Sequence, residues 1–122
     1  MKELASLFVW RREAVVVAAI AGELDISNAA RLQAEIGQAV GNDADGLVLD
    51  LAGLTFMDSS GVHVLFHLAN RLRTAGRRIA VIAPPGSPPR RLLELSGPDP
   101  QSWIQDGEDA AIAAVRDVPR HN

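Results

Sequence analysis

At 122 residues the chain has the length of one domain, with enough material for a single hydrophobic core. Its 48% apolar and 22% charged residues are globular proportions, and they exclude collagen-like, disordered and coiled-coil classes. A net charge of −3 removes the cationic footprint of a nucleic-acid binder, while the absence of cysteine removes disulfides and thiolate metal sites and fits a reducing compartment.

The first residues, Met1-Lys2-Glu3-Leu4-Ala5-Ser6, carry an acid and do not read as a signal peptide. Leu7-Phe8-Val9-Trp10 and then Ala14-Val15-Val16-Val17-Ala18-Ala19-Ile20-Ala21 read as two strands joined by the charged turn Arg11-Arg12-Glu13. The β-branched run of the second predicts burial on both faces. At residues 14–21 it is far shorter than the ~20 residues of a membrane span, so a soluble, cytoplasmic domain without a membrane span is expected. Gly22-Glu23-Leu24-Asp25 is expected to break the strand, and Ser27 to cap a helix through about Val40.

The polar cluster at residues 41–46 predicts a turn, and Leu47 to Leu51 a third strand. Gly53 and Thr55 are placed in a loop that leads to Asp58-Ser59-Ser60-Gly61. The following helix should run to about Ala75 and stop at Gly76, with Val62, Leu65, Phe66, Ala69 and Leu72 facing inward. Arg78 to Ala83 is a fourth strand, and Pro84-Pro85-Gly86-Ser87-Pro88-Pro89 a loop. A short helix from about Pro89 to Leu95, a last strand at residues 102–104 and a helix over residues 107–116 complete the order. Residues 118–122 are expected to be a frayed tail. Strands alternating with helices after an initial hairpin predict one α/β domain, its core at about 7–116, built on a mixed sheet of about four to five strands with about four helices packed on it.

Thr55-Phe56-Met57-Asp58-Ser59-Ser60-Gly61 carries the functional information. Two hydroxyls and a carboxylate stand where a helix begins, and helix N-termini expose unpaired N–H groups and partial positive charge. On residue types alone, Ser59 could be a nucleophile, a modified residue or a cap. The nucleophile elbow needs glycine two residues before the serine, and Met57 stands before Asp58 and Ser59 instead. No base is partnered to the serine in sequence, so no catalytic residue is expected.

His63 and His67 have the i, i+4 spacing of a metal-binding pair. No glutamate follows His63 and no third ligand is placed, so they read as solvent-face histidines and no metal is expected. Arg71, Arg73, Arg77, Arg78, Arg90 and Arg91 form a basic run whose default is a solvated face. Trp10 and Trp103 read as core or edge packing.

In Phe56-Met57-Asp58-Ser59-Ser60-Gly61 the chain resembles the phosphorylation turn of bacterial anti-sigma factor antagonists (anti-anti-sigma factors), the small stand-alone members of the STAS domain family. Gly22-Glu23-Leu24-Asp25 is similar to the family's Gly-Glu-Leu-Asp. Asp50-Leu51-Ala52-Gly53-Leu54 resembles its Asp-Leu-Ser-Gly-Val, and Arg91-Leu92-Leu93-Glu94-Leu95-Ser96-Gly97 its Arg-Val-Leu-Glu-Leu-Thr-Gly. Together these cover roughly residues 7–116. Gly61-Val62-His63 departs from the common Gly-Leu-Gly, and Pro98 stands where most members have leucine.

The resemblance implies a switch in sigma-factor control. The unphosphorylated form binds an anti-sigma factor that is also a serine kinase, so releasing the sigma factor; phosphorylation at Ser59 breaks the complex and a serine phosphatase restores it. It implies a partner surface of Asp25, Asp58, Ser59, Ser60, Gly61 and His63. Ser60 is then the helix cap, and Gly61 keeps the approach to the serine open. The chain has no phosphate-binding loop, so ATP and Mg²⁺ are expected on the kinase and no cofactor here. The alternative within the family is an unphosphorylated partner subunit of a lipid or anion transport complex.

Overall fold

The computed structural model describes residues 4–116. In chain order the elements are β1 (Ala5–Arg12), β2 (Val15–Leu24), α1 (Ala29–Val40), β3 (Gly46–Met57), α2 (Ser59–Thr74), β4 (Arg78–Ile82), α3 (Pro88–Leu95), α4 (Pro98–Ser102), β5 (Ile104–Gln105) and α5 (Glu108–Arg116). The strands form one sheet in the order β1-β2-β3-β4-β5. β1 runs antiparallel to β2, and the remaining neighbours are parallel. This is the mixed α/β sheet expected, with five strands and five helices among the described residues.

The burial of β2 on both faces follows from its two covers. Val16, Ala18 and Ile20 join Leu47, Leu49 and Leu51 of β3 under the helices α1, α2 and α3. Val15 and Val17 face the other way, with Val48, Ala80 and Ile82, under Ala111, Ile112 and Val115 of α5. Such a strand must be apolar along its length, and Val15, Val16, Val17 and Ala18 are fully buried.

Several boundaries differ from expectation. Gly22 does not end β2: it adopts φ +102 and the strand continues to Leu24. A side chain there would run into the Leu4 carbonyl, so glycine lets β1 and β2 stay in contact. β3 likewise passes through Gly53 and Thr55 to Met57, absorbing a register shift against β2 between Ala19 and Ala21. Its Gly53 sits 3.1 Å, as judged by an added Cβ, from the Ala21 Cβ. Ser27 does not cap α1. Asn28 is its N-cap, without a side-chain cap bond, and Ser27 turns back to Asp25. A further helix, α4, lies between the short helix and the last strand and takes up Ser102, so β5 lies at 104–105 instead of 102–104. The end of α2 is as expected in kind. Gly76, at φ +72, donates to the Arg73 carbonyl, and Arg77 N–H reaches back to Leu72 at 2.8 Å, closing a Schellman turn. The expected tail at 118–122 lies outside the described residues.

Candidate functional site

The carboxyl ends of β2 and β3 carry the candidate residues on two adjacent loops, the usual place for a site on a parallel sheet. Despite register shifts on the way, the strands stay paired to their last residues, with Glu23 beside Phe56 and Leu24 beside Met57. Asp58 N–H then donates to the Leu24 carbonyl at 3.3 Å. That bond ties the Asp58-Ser59 turn to the loop that begins at Asp25. Two segments more than thirty residues apart in sequence thus meet at one end of the sheet.

On the first loop, the Asp25 carboxylate accepts from Ser27 N–H at 2.8 Å and from the Ser27 hydroxyl. The Asn28 side chain is buried and closes the loop from behind. It donates to the Glu23 carbonyl at 2.8 Å and accepts from Asp25 N–H at 3.1 Å. Asn28 was not singled out in the sequence. A polar residue between two apolar elements is its only signal, and the structure explains it as the brace that satisfies the strand end.

On the second loop, Asp58 is extended and its Oδ1 accepts from Ser60 N–H at 2.9 Å, so Asp58 is the N-cap of α2. This corrects the expectation that Ser60 caps. Ser59 and Ser60 are the first two residues of the helix, and a side chain inside the first turn is past the position from which a cap reaches back. Ser59 is exposed, Ser60 half-buried and Asp58 half-buried. The Ser59 hydroxyl makes no hydrogen bond among the described residues and stands at the positive end of α2, a helix of 16 residues.

Gly61 has a role other than the one expected. It is a buried helical residue, and a Cβ there would lie 2.8 Å from Met57 Sδ and 3.0 Å from Leu24 Cδ2. Glycine therefore allows the start of α2 to press against the ends of β2 and β3; it does not open the approach to Ser59. His63 lies one turn into α2 and is exposed, as is His67. No group of three potential metal ligands occurs among the described residues.

Two apolar residues at this end are exposed without having been expected at the site. Ile26, between Asp25 and Ser27, is 83% exposed, and Phe56, three residues before Ser59, is 45% exposed. An isoleucine inside a polar loop was the available signal. Together with Glu23, Asp25 and Asp58 they give the end of the sheet apolar points among carboxylates.

The basic run dissolves into separate structural tasks. Arg77 donates to the carbonyls of Gly41 and Ala44, and Arg90 to that of Ala83. The Arg73 guanidinium lies over Trp103, 5.9 Å from the ring centroid, and Trp103 meets Phe66 edge-on at 5.5 Å. Trp103 is buried, whereas Trp10 is exposed on β1. A cavity of about 410 Å³ is lined by Arg73, Arg78, Trp103 and neighbours, and no residue of the Asp58-Ser59 turn lines it. No helix among the described residues is long and apolar enough to cross a membrane.

The whole chain is similar to known proteins in sequence and in fold. The chain is 34% identical over 102 residues to the anti-sigma-F factor antagonist RsfB of Mycobacterium tuberculosis, covering 84% of this chain and 82% of RsfB. A crystal structure of an anti-sigma factor antagonist from Mycobacterium paratuberculosis superposes with a TM-score of 0.82 at 30% identity, over 93% of this chain and 95% of that one. The phosphorylated form of the Bacillus cell fate determinant SpoIIAA matches with a TM-score of 0.71 at 25% identity, over 91% of this chain and all of that one. Residues 9–111 match the STAS domain model, and the chain belongs to the STAS domain family.

Proposed function

We propose that this protein is an anti-sigma factor antagonist, switched by phosphorylation of Ser59. The observation that carries the reading is the Ser59 hydroxyl, exposed and without a hydrogen bond among the described residues, at the N-terminus of α2 beside the capping carboxylate of Asp58. The likeness to antagonists of similar length supports the regulatory class. A Ser59 hydroxyl that is hydrogen-bonded to no base among the described residues suits a residue that receives a phosphoryl group better than one that attacks a substrate.

In the unphosphorylated state the partner, an anti-sigma factor that is also a serine kinase, docks on the Asp25 and Asp58 loops, with Ser60 and His63 at the start of α2 and Gly61 buried beneath them. ATP and Mg²⁺ belong to that kinase. The phosphate brings about −1.5 to −2 charges at neutral pH. On the isolated protein the helix end offsets part of that charge. In the docked complex it must lose water beside Asp58, and a penalty of about 3–4 kcal/mol weakens binding roughly a hundred- to a thousandfold. A phosphatase then resets the switch. The test is incubation with the anti-sigma factor and Mg-ATP, phosphosite mapping by mass spectrometry, and titration of Ser59→Ala and Ser59→Asp. Ser59→Ala should bind and Ser59→Asp should not; equal binding refutes the switch.

A further inference from the structure

β1 is a border of the sheet and pairs only with β2. The bond from Glu23 N–H to the Leu4 carbonyl, at 2.7 Å, fixes which backbone groups point inward. Leu4 lies opposite Glu23 in the register that pairs Ala5 with Gly22, so Leu4, Ser6, Phe8, Trp10 and Arg12 direct their N–H and C=O groups at β2. Ala5, Leu7, Val9 and Arg11 direct theirs outward, where no strand of the described residues lies. Proteins blunt such borders by keeping them short or by setting charge or proline within them. This one is eight residues long with no proline, and its charges, Arg11 and Arg12, are confined to one end. At its centre Phe8, Val9 and Trp10 are 57%, 43% and 38% exposed.

We propose that β1 pairs antiparallel with β1 of a second copy about a two-fold axis at Val9, joining the two sheets edge to edge. Val9 then faces Val9 of the second copy, and Leu7 faces its Arg11. These outward-directed residues fall in the hydrogen-bonded pairs. Phe8 faces Trp10 of the second copy in a non-hydrogen-bonded pair, where side chains approach most closely. Phe8 and Trp10 oppose Ala19 and Val17 of β2, so they share the face of the sheet that α5 covers. A two-fold axis through the sheet keeps that face common, and the aromatic contact forms twice.

The order Leu7-Phe8-Val9-Trp10-Arg11, which sets aromatic against aromatic on both sides of Val9, fits a second copy, and the charges select the direction. Antiparallel pairing moves the two copies of Arg11 about 14 Å apart along the strand, whereas parallel pairing stacks them. Each arginine is also matched within its own chain, Arg11 with Asp43 at 2.9 Å and Arg12 with Glu108 and Asp109 at 2.9 and 2.8 Å. None of the joining residues belongs to the Asp58-Ser59 turn, so assembly is separable from the proposed switch.

Sedimentation equilibrium of the full chain between ~1 μM and ~1 mM should show a concentration-dependent dimer. Val9→Pro removes only an outward N–H and should raise the dissociation constant at least about tenfold, and Phe8→Lys, at an exposed position, should do the same. Amide exchange at Leu7, Val9 and Arg11 should slow as concentration rises, while Phe8 and Trp10 stay protected throughout. A wild-type chain that is monomeric over the whole range overturns the proposal. So does a dimer that survives Phe8→Lys, or exchange at Val9 that ignores concentration.

Discussion

Replacing Asp58 by alanine separates the carboxylate's two roles, as helix cap and as charge beside Ser59. Its Oδ1 accepts the Ser60 N–H at 2.9 Å with the backbone extended, so the substitution leaves one of the first-turn donors of α2 without its partner. A lost cap costs about 1 kcal/mol, and a lost anion at a helix N-terminus adds about 0.3–1 kcal/mol. Asp58→Ala should therefore cost about 1.5 kcal/mol, a fall of several degrees in Tm for a chain of this size. Asp58→Asn keeps the acceptor and loses the charge, so only the smaller part should be lost. Ser60→Ala should stay within about 0.5 kcal/mol, since its hydroxyl caps nothing. Urea unfolding of the four proteins, with equal m-values, measures the differences. If Ser60→Ala costs as much as Asp58→Ala, or Asn is no better than Ala at 58, Asp58 is not the cap.

Gly61→Val should destabilise by about 2–3 kcal/mol, because the side chain enters space held by Met57 and Leu24; an unchanged melting temperature would refute that packing. Ile26→Ser should leave stability within about 0.5 kcal/mol, since the residue is 83% exposed, yet weaken anti-sigma factor binding about tenfold by calorimetry if Ile26 is an apolar contact of the docked complex. The hydrogen bond from Arg11 holds the Asp43 carboxyl below the usual carboxylate range. A lowered native pKa adds stability above the unfolded value, and that stability is lost as pH falls through the native one. NMR titration of Arg11→Ala should therefore show Asp43 titrating at a higher pH than in wild type. An unmoved Asp43 midpoint would show that the ion pair does not form in solution.

The architecture was legible where one physical signal dominated. The β-branched run of β2 announced a strand covered on both faces, and Gly76 announced the end of α2, because a positive φ there leaves few other residues possible. Legibility failed at Gly22, Gly53 and Gly61, each of which reads locally as a breaker or an opening. Their reason is tertiary: at each, an added Cβ would meet another element closely, the Leu4 carbonyl, Ala21 and Met57 respectively. At the site, residue types and family pattern singled out Asp25, Asp58 and Ser59, and the structure brings their two loops together. Sequence alone did not divide the roles of Asp58 and Ser60. A cap is defined by where the helix begins, and two hydroxyls beside a carboxylate allow several starts.

The tie between the two loops bears on how a phosphate at Ser59 would act. The turn is held from behind by the Asp58 bond to Leu24, and from below by the contact of Gly61 with Met57 and Leu24. Asp58 cannot swing away from an added phosphate without releasing the Ser60 N–H, which raises the energy of any local rearrangement by about the value of a cap. Ser59 itself is exposed, so the phosphate remains in water on the free protein and demands no change in the core. The lowest-energy response is to leave the backbone in place and carry a more negative end of the sheet, where Glu23, Asp25 and Asp58 already stand. Amide chemical-shift changes on phosphorylation should therefore concentrate in residues 56–64 and the adjoining loop at 25–28. Changes spread through β1 and α5 would mean that the switch works by refolding and not by repulsion at the interface.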